Sequence, residues 1–339
     1  MLRAVDDDWR IAPAYAGSCC PVGGHDRYRV RVNDRPEQAV DAKGPVSPSP
    51  PASPEQAPPT ASPDRRWHRF GGDVPLGRQL DQGAVPVDRS AAWVWMLYAG
   101  LGFLGGQILA AFTVAIAAEL AGQFHSLAAL SKLSEPPTWY VIATLFGLWG
   151  GFLGAALLAS RLKGTKRLRA DIGLRFRWID LLGIPIGIAS QFLIILIYLP
   201  IAPHVHDFNQ RFAAPAQRLT GSSHGTSFVA IFVATVIGAP FFEEVFFRGV
   251  ILRGLARLFG NWGRWVGPGL AIVISGVLFG LAHAESLQLL GLAVFGVILG
   301  IISFRTGRIG MNMVAHAAFN GTALLAVVFP AVLGLRGLA

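Results

Sequence analysis

The chain has 339 residues, of which 53% are hydrophobic and 14% are charged, and its mean hydropathy is +0.48. This balance excludes an ordinary soluble domain and is typical of a polytopic membrane protein. The net charge of +9 does not indicate a nucleic-acid partner, because many of the basic residues flank apolar segments and none belong to a basic module interleaved with aromatic residues.

Residues 1–90 form a tail that holds more than half of the 22 prolines and few periodic apolar positions. This composition predicts disorder, because the segment cannot bury enough apolar surface to offset the loss of conformational entropy. The tail has no apolar h-region, so we do not expect it to be a signal peptide. The adjacent Cys19 and Cys20 support neither a disulfide framework nor a metal cluster.

From residue 91 the composition changes abruptly, and about seven apolar segments follow, each near the ~20 residues needed to cross a bilayer. We therefore predict an all-α, polytopic helical membrane bundle, with three helices in residues 91–219 and a second group in residues 220–330. The predicted spans are residues 91–118, 138–160, 180–201, 226–250, 266–284, 287–304 and 311–330. Pro240 removes a backbone donor and predicts a kink in the fourth span.

Residues 161–177, between the second and third spans, carry seven basic residues and one acid, Asp171. The positive-inside rule predicts that this loop is cytoplasmic, and its charge also suits binding to an anionic membrane surface. Counting spans from this loop places the amino-terminal tail and the turns at 253–265 and 305–310 on the same side. The arginines of the fourth span and its turn, from Arg248 to Arg264, predict that the lower part of this hairpin projects into the cytoplasm.

Two adjacent carboxylates, Glu243 and Glu244, lie inside the fourth span, where ionisable groups are costly unless they are paired or face a cavity. Glu244 and Arg248 are four residues apart on one helix face, which predicts an internal ion pair. Glu243 points about 100° away on a helix of 3.6 residues per turn, so the same partner does not account for it.

Two later spans contain polar residues at helical spacing. Phe279 and His283 share one face of the fifth span, and His316 and Asn320 share one face of the seventh. Glu243 and His283 are equally distant from residue 263 in the intervening turn, so a helical hairpin places them at the same depth. His316 lies about 9 Å into its span from the cytoplasmic side, so all three are expected to line one inward-facing cavity.

A carboxylate beside a histidine in a partly desolvated pocket can take a proton from water. A second histidine and an asparagine amide can donate hydrogen bonds to the oxyanion of a tetrahedral intermediate. Together these groups suit amide hydrolysis by activated water. Zinc stays open as an alternative, because Glu243, His283 and His316 are competent ligands, although no His-Glu-x-x-His motif is present.

The ordered motifs Glu243-Glu244-x-x-x-Arg248, Phe279-x-x-x-His283 and His316-x-x-x-Asn320 resemble those of the CAAX-processing and bacteriocin-processing (CPBP, Abi-type) intramembrane proteases. The resemblance covers roughly residues 220–325. It implies that Glu243 and His283 activate water, that His316 and Asn320 stabilise the oxyanion, and that Glu244, Arg248 and Phe279 support the site. Before the third motif, residues 308–312 lack the usual Trp-Pro, which affects the expected angle of the last span.

We therefore predict an intramembrane endopeptidase, either a metalloprotease or a metal-independent glutamate-dependent protease, in the cell membrane (inner or plasma) of a prokaryote. Its partners would be the lipid bilayer and a peptide or membrane-protein substrate, processed in a CAAX-type or bacteriocin-related reaction. The alternative is a non-enzymatic immunity or scaffolding protein that uses the same polar residues for helix packing. A proton-relaying transporter is disfavoured, because the hydropathy shows no internal repeat.

Overall fold

A computed structural model of the chain describes residues 89–130, 133, 135–221, 223 and 225–328, together with Pro75, Leu76 and Arg78. The chain divides into two units, Met1–Pro59 and Thr60–Ala339, and every described residue belongs to the second unit. Most of the predicted disordered tail therefore lies outside the described residues, although Leu76 is buried in the core of the bundle.

Helices form nearly all of the described part of the chain, which contains no strand, so the predicted all-α bundle is confirmed. The described ranges contain eight main helices, some of them joined by short helical turns. These are α1 (Arg89–Leu120), α2 (Thr138–Lys163), α3 (Gly183–Tyr198), α4 (Phe208–Thr220), α5 (Thr226–Leu258), α6 (Val266–Ala282), α7 (Leu289–Thr306) and α8 (Gly310–Val328).

Within the described residues, six helices are long and apolar enough to cross a membrane. They are α1, α2, α5, α7, α8 and α3, which a preceding 3₁₀ turn lengthens to Trp178–Tyr198. The fifth predicted span is the apolar α6, which has only 17 residues and is shorter than expected. Helix α4 was not predicted, because its sequence is polar and too short for a span.

The α1–α2 pair packs closely because glycines let the two backbones approach each other. A Cβ on Gly151 of α2 would meet the backbone of Gly102 and Gly106 of α1, and one on Gly147 would meet the backbone of Ala110. In lipid, where the hydrophobic effect does not drive helices together, such close contact supplies the van der Waals stabilisation.

Helix α5 is interrupted by two π-helical segments, Ala234–Gly238 and Val245–Ile251. They flank the regular stretch Ala239–Glu244, which carries both glutamates. Such wider turns change the direction in which the following side chains point and are frequent at functional sites. The short regular stretch is held against α2, because Phe242 stacks on Trp149 with ring centroids 4.7 Å apart.

Pro240 explains the first π-helical segment. The Ala239 N–H donates to the Ala234 carbonyl, five residues back instead of the usual four. In that pattern the next donor, residue 240, would bond to the Thr235 carbonyl, but proline has no N–H. The irregularity predicted at Pro240 is thus present as a widened turn, and the Thr235 carbonyl needs a partner from outside the helix.

At one end of the bundle, which we call the basic end, hydrogen bonds connect three parts of the chain. These are the segment that follows α2, the end of α5 and the α7–α8 turn. The Arg253 Nη2 donates to the Gly307 carbonyl at 2.7 Å, and the Ile309 N–H donates to the Gly173 carbonyl at 3.0 Å. Residues 161–177, Arg253 and Gly307 therefore lie at this same end, as the span count predicted.

The arginines of α5 are held within the bundle. Arg248, Arg253 and Arg257 are all buried, and the Arg257 guanidinium lies 4.0 Å from the centroid of the Trp95 ring. A carboxylate, backbone carbonyls and aromatic faces hold these cations. That the lower part of this hairpin projects into the cytoplasm stays a prediction. Glu243 lies ten residues from Arg253, about 15 Å along α5, which is half of a ~30 Å hydrocarbon core.

Candidate active site

Glu243 of α5 lies between two histidines from other helices. Its Oε2 is 3.9 Å from the Nε2 of His283, which follows α6, and 3.9 Å from the Nε2 of His316 in α8. The predicted meeting of Glu243 and His283 across the hairpin is therefore confirmed. Within the described part of the chain this carboxylate oxygen is buried and accepts no hydrogen bond.

Both imidazoles are held by their other ring nitrogen. The Nδ1 of His283 is 2.8 Å from the Phe279 carbonyl, which can only accept, so this nitrogen carries the proton. The Nδ1 of His316 is 3.0 Å from Oε1 of Glu244. These contacts turn both Nε2 atoms towards Glu243 and fix the orientation of the rings.

Glu244 is fully buried and joins three helices. Its Oε1 accepts a hydrogen bond at 2.8 Å from Arg248 Nη1, so the ion pair predicted from the four-residue spacing is present. The same oxygen bonds His316, a contact that the sequence did not reveal. Arg248 Nη2 also donates to the Gly296 carbonyl of α7 at 3.1 Å. Glu244 and Arg248 thus tie α5 to α7 and α8.

Phe279 lies at the centre of an aromatic cluster beneath the two histidines. Its buried ring is 4.8 Å from the His283 ring and 5.4 Å from the His316 ring, measured between centroids. The Arg248 guanidinium lies 4.6 Å from the centroid of the same ring. The sequence analysis missed Phe295 of α7, which contacts both Phe279 and His316. Its predicted span, residues 287–304, contains no ionisable residue that would have marked it.

Asn320 is the predicted catalytic residue whose observed contact involves neither Glu243 nor a histidine. It lies one turn beyond His316 on α8, and its Nδ2 donates to the Thr235 carbonyl at 2.9 Å. This is the carbonyl that Pro240 leaves unpaired in α5. The amide carries a second N–H, so one Asn320 side chain can tie α8 to α5 and still donate towards the site.

Helix α4 covers the turn that follows His283. The Arg218 Nη2 lies 2.8 Å from Oε1 of Glu285, and the Gln288 amide donates to the Phe212 carbonyl at 2.7 Å. His283 itself is the most exposed of the three central groups, with 32% of its side chain accessible. Helix α4 is thus bonded to the turn beside the more exposed edge of the site.

The start of α8, where the sequence lacks the usual Trp-Pro, is fixed by polar contacts. The Arg308 Nη2 lies 2.8 Å from Oδ1 of Asp180, and both side chains are almost fully buried. One turn further on, the Asn312 amide donates to the Leu299 carbonyl of α7 at 2.6 Å. These bonds set the direction of α8 and hence the position of His316.

The donor types would suit zinc, and the Nδ1 contacts resemble those found behind zinc-bound histidines. The spacing fits less well. Two ligand atoms of a tetrahedral zinc lie about 3.3 Å apart, given its ~2.0–2.1 Å bonds, whereas both Nε2 atoms are 3.9 Å from Oε2 of Glu243. Accordingly, no group of three or more His, Cys, Asp or Glu residues within the described ranges is arranged to hold a metal ion.

Residues 225–322 match the family model of the type II CAAX prenyl endopeptidase Rce1-like proteins. The matched segment is about a third of the chain and contains every predicted site residue. Comparison with curated proteins and with solved structures gave no match. The six apolar helices and this match indicate an integral membrane protein whose residues 225–322 are similar to the CAAX prenyl endopeptidases. The resemblance to the CAAX-processing proteases that the three motifs predicted is thereby confirmed for this segment.

Proposed function

We propose that the protein is an intramembrane endopeptidase that hydrolyses a peptide bond with water activated by Glu243. The observation that carries the proposal is the convergence of one carboxylate oxygen and two imidazole nitrogens from three helices, each Nε2 being 3.9 Å from Oε2. That separation is too long for a direct hydrogen bond. It is short enough for one water oxygen to bond to both groups, at about 2.8 Å from each.

The hydrogen bonds of the histidines indicate what Glu243 and His283 do. With its proton on Nδ1, neutral His283 presents Nε2 as an acceptor, and the Glu243 carboxylate is also an acceptor. Two acceptors at this distance are bridged by a molecule that donates to both, which is the role of water. Glu243 takes one proton as the water oxygen attacks the carbonyl carbon, and it later returns that proton to the leaving amine.

We assign His316 to the oxyanion because its Nδ1 lies 3.0 Å from Glu244 Oε1 while its Nε2 is directed towards Glu243. In this role the ring donates from Nδ1 to Glu244 and from Nε2 to the substrate oxygen, which requires a proton on both nitrogens. The second N–H of Asn320 supplies another donor for the same oxyanion.

The proposed substrate is a prenylated carboxy-terminal peptide, the class in the name of the matched family. The test uses purified full-length protein in lipid nanodiscs with such a peptide, and compares wild type with Glu243→Gln. We expect cleavage to fall by about 10²–10⁴-fold, the usual contribution of a general base, while the unfolding temperature changes little. Glu119→Gln, an exposed acid at the end of α1, is the matched control and should cleave normally.

Three outcomes would contradict parts of this proposal. Undiminished cleavage by folded Glu243→Gln removes the role given to Glu243. Cleavage of a bacteriocin-type leader in preference to the prenylated peptide changes the substrate class. A wild type that cleaves neither peptide while Glu243→Gln lowers only stability favours the non-enzymatic alternative. The wild-type assay is repeated with a chelator to test the metal-independent mechanism. We expect full activity in the presence of the chelator.

A further inference from the structure

The segment between α2 and α3 forms a cavity at the basic end that the peptidase proposal does not use. Its volume is about 740 Å³. The lining includes four arginines and apolar side chains of the same segment: Arg167, Arg169, Arg175, Arg177, Leu174 and Phe176. We call it the arginine cavity.

The two acids of this segment are bonded to groups within the bundle. Asp171 is buried and accepts hydrogen bonds from Ser160 and Thr165. Asp180 is buried as well, and its carboxylate is held by Arg308. Among the residues that line the cavity, Arg167 and Arg169 are exposed.

The arginine cavity lies at the boundary of the apolar helices. Helix α2 ends at Lys163, and the next candidate span begins at Trp178. Phe176, which lines the cavity, and Trp178 are 62% and 79% exposed. Exposed aromatic side chains at the end of a span are typical of the membrane interface, where lipid headgroups lie.

We propose that the arginine cavity binds the phosphate of an acidic phospholipid headgroup. The guanidinium groups of Arg167 and Arg169 donate hydrogen bonds to the phosphate oxygens, for which their planar geometry is suited. Phe176 lies beside the lipid where its headgroup meets the acyl chains. A soluble phosphate compound would use the same guanidinium chemistry, but the exposed aromatic residues at this level favour a lipid.

The experiment measures binding of phosphatidylglycerol and of phosphatidylcholine to the purified full chain in detergent by native mass spectrometry. The variant Arg167→Gln/Arg169→Gln is compared with Arg161→Gln/Arg305→Gln, which removes the same charge from exposed positions outside the cavity. We expect the first variant to lose phosphatidylglycerol affinity about tenfold more than the second, since each arginine near an anionic headgroup contributes several-fold. Phosphatidylcholine binding should not change.

Equal losses in the two double variants would overturn the proposal, because they would show a diffuse effect of surface charge. Competition by glycerol 3-phosphate as strong as that by the lipid would replace the lipid with a soluble anion.

Phe176→Ser provides a second test that leaves every charge in place. It should weaken phosphatidylglycerol binding without affecting glycerol 3-phosphate, and an unchanged lipid affinity counts against the assigned orientation. None of these readouts depends on peptidase activity.

Discussion

Glu243 and Glu244 are neighbours in sequence, but their environments differ. Glu244 is fully buried and bonded to Arg248 and His316, whereas Glu243 is partly exposed and faces two imidazole nitrogens beyond direct bonding distance. We propose that the first arrangement stabilises the fold and that the second positions the reactive carboxylate. Substitutions at the two positions should therefore separate stability from activity.

The residue Glu244 is predicted to be more important for stability than Glu243. Glu244→Ala leaves Arg248 buried without its carboxylate partner, so we expect a loss of about 3–5 kcal/mol in the free energy of unfolding. Thermal unfolding in detergent measures it, with Glu243→Ala as the matched neighbour. A smaller loss for Glu244→Ala than for Glu243→Ala would contradict the structural role of the ion pair.

At the scale of the element, α5 is shaped by the proline that interrupts its hydrogen bonds. Pro240→Ala restores an N–H that can bond to the Thr235 carbonyl, in competition with Asn320. We expect unchanged or higher thermal stability, because proline in a helix interior costs about 3 kcal/mol, and reduced peptide cleavage because Asn320 loses its partner. Cleavage at the wild-type rate would show that the widened turn is not needed for the reaction.

The α1–α2 pair allows a matched comparison of two glycines on one helix. A Cβ on Gly151 would meet the backbone of α1, whereas one on Gly154 would have nothing within 4 Å. Gly151→Ala should lower the free energy of unfolding by about 1–3 kcal/mol through overpacking. Gly154→Ala should be neutral or raise it by up to about 1 kcal/mol, because alanine favours helix. Equal effects in thermal unfolding would contradict the proposed close packing.

At the scale of the whole molecule, contacts at the basic end fix the helix that carries His316. The Asp180–Arg308 pair joins the start of the α3 span to the start of α8 and is almost fully buried. Asp180→Ala is expected to lower stability by about 3–5 kcal/mol, because it leaves a buried cation without this partner. Unfolding of Asp180→Ala, Arg308→Ala and the double variant forms the test.

The double variant in this cycle should be more stable than the sum of the two single losses predicts, since removing both charges avoids the unpaired one. Additive losses would show that the two side chains act independently. Because His316 lies on α8 only eight residues after Arg308, we also expect peptide cleavage to fall in both single variants.

The sequence by itself determined the all-α membrane class, the positions of seven apolar helices and the resemblance of residues 225–322 to the matched family. These features depend on composition, on the length of apolar segments and on helical spacing, all of which are local along the chain. The meeting of Glu243 and His283 was also predictable, because a hairpin fixes equal depth for residues equally distant from its turn.

Only the tertiary structure determined which donor or acceptor each buried polar group bonds to. Three contacts join residues that are far apart in the chain. Glu244 bonds to His316, Asn320 donates to the Thr235 carbonyl, and the buried Arg253 donates to the Gly307 carbonyl. In a bilayer each buried polar group must find its partner within the protein. Spacing along one helix shows which face a group occupies, but only the packing of the helices determines which donor or acceptor lies opposite that face.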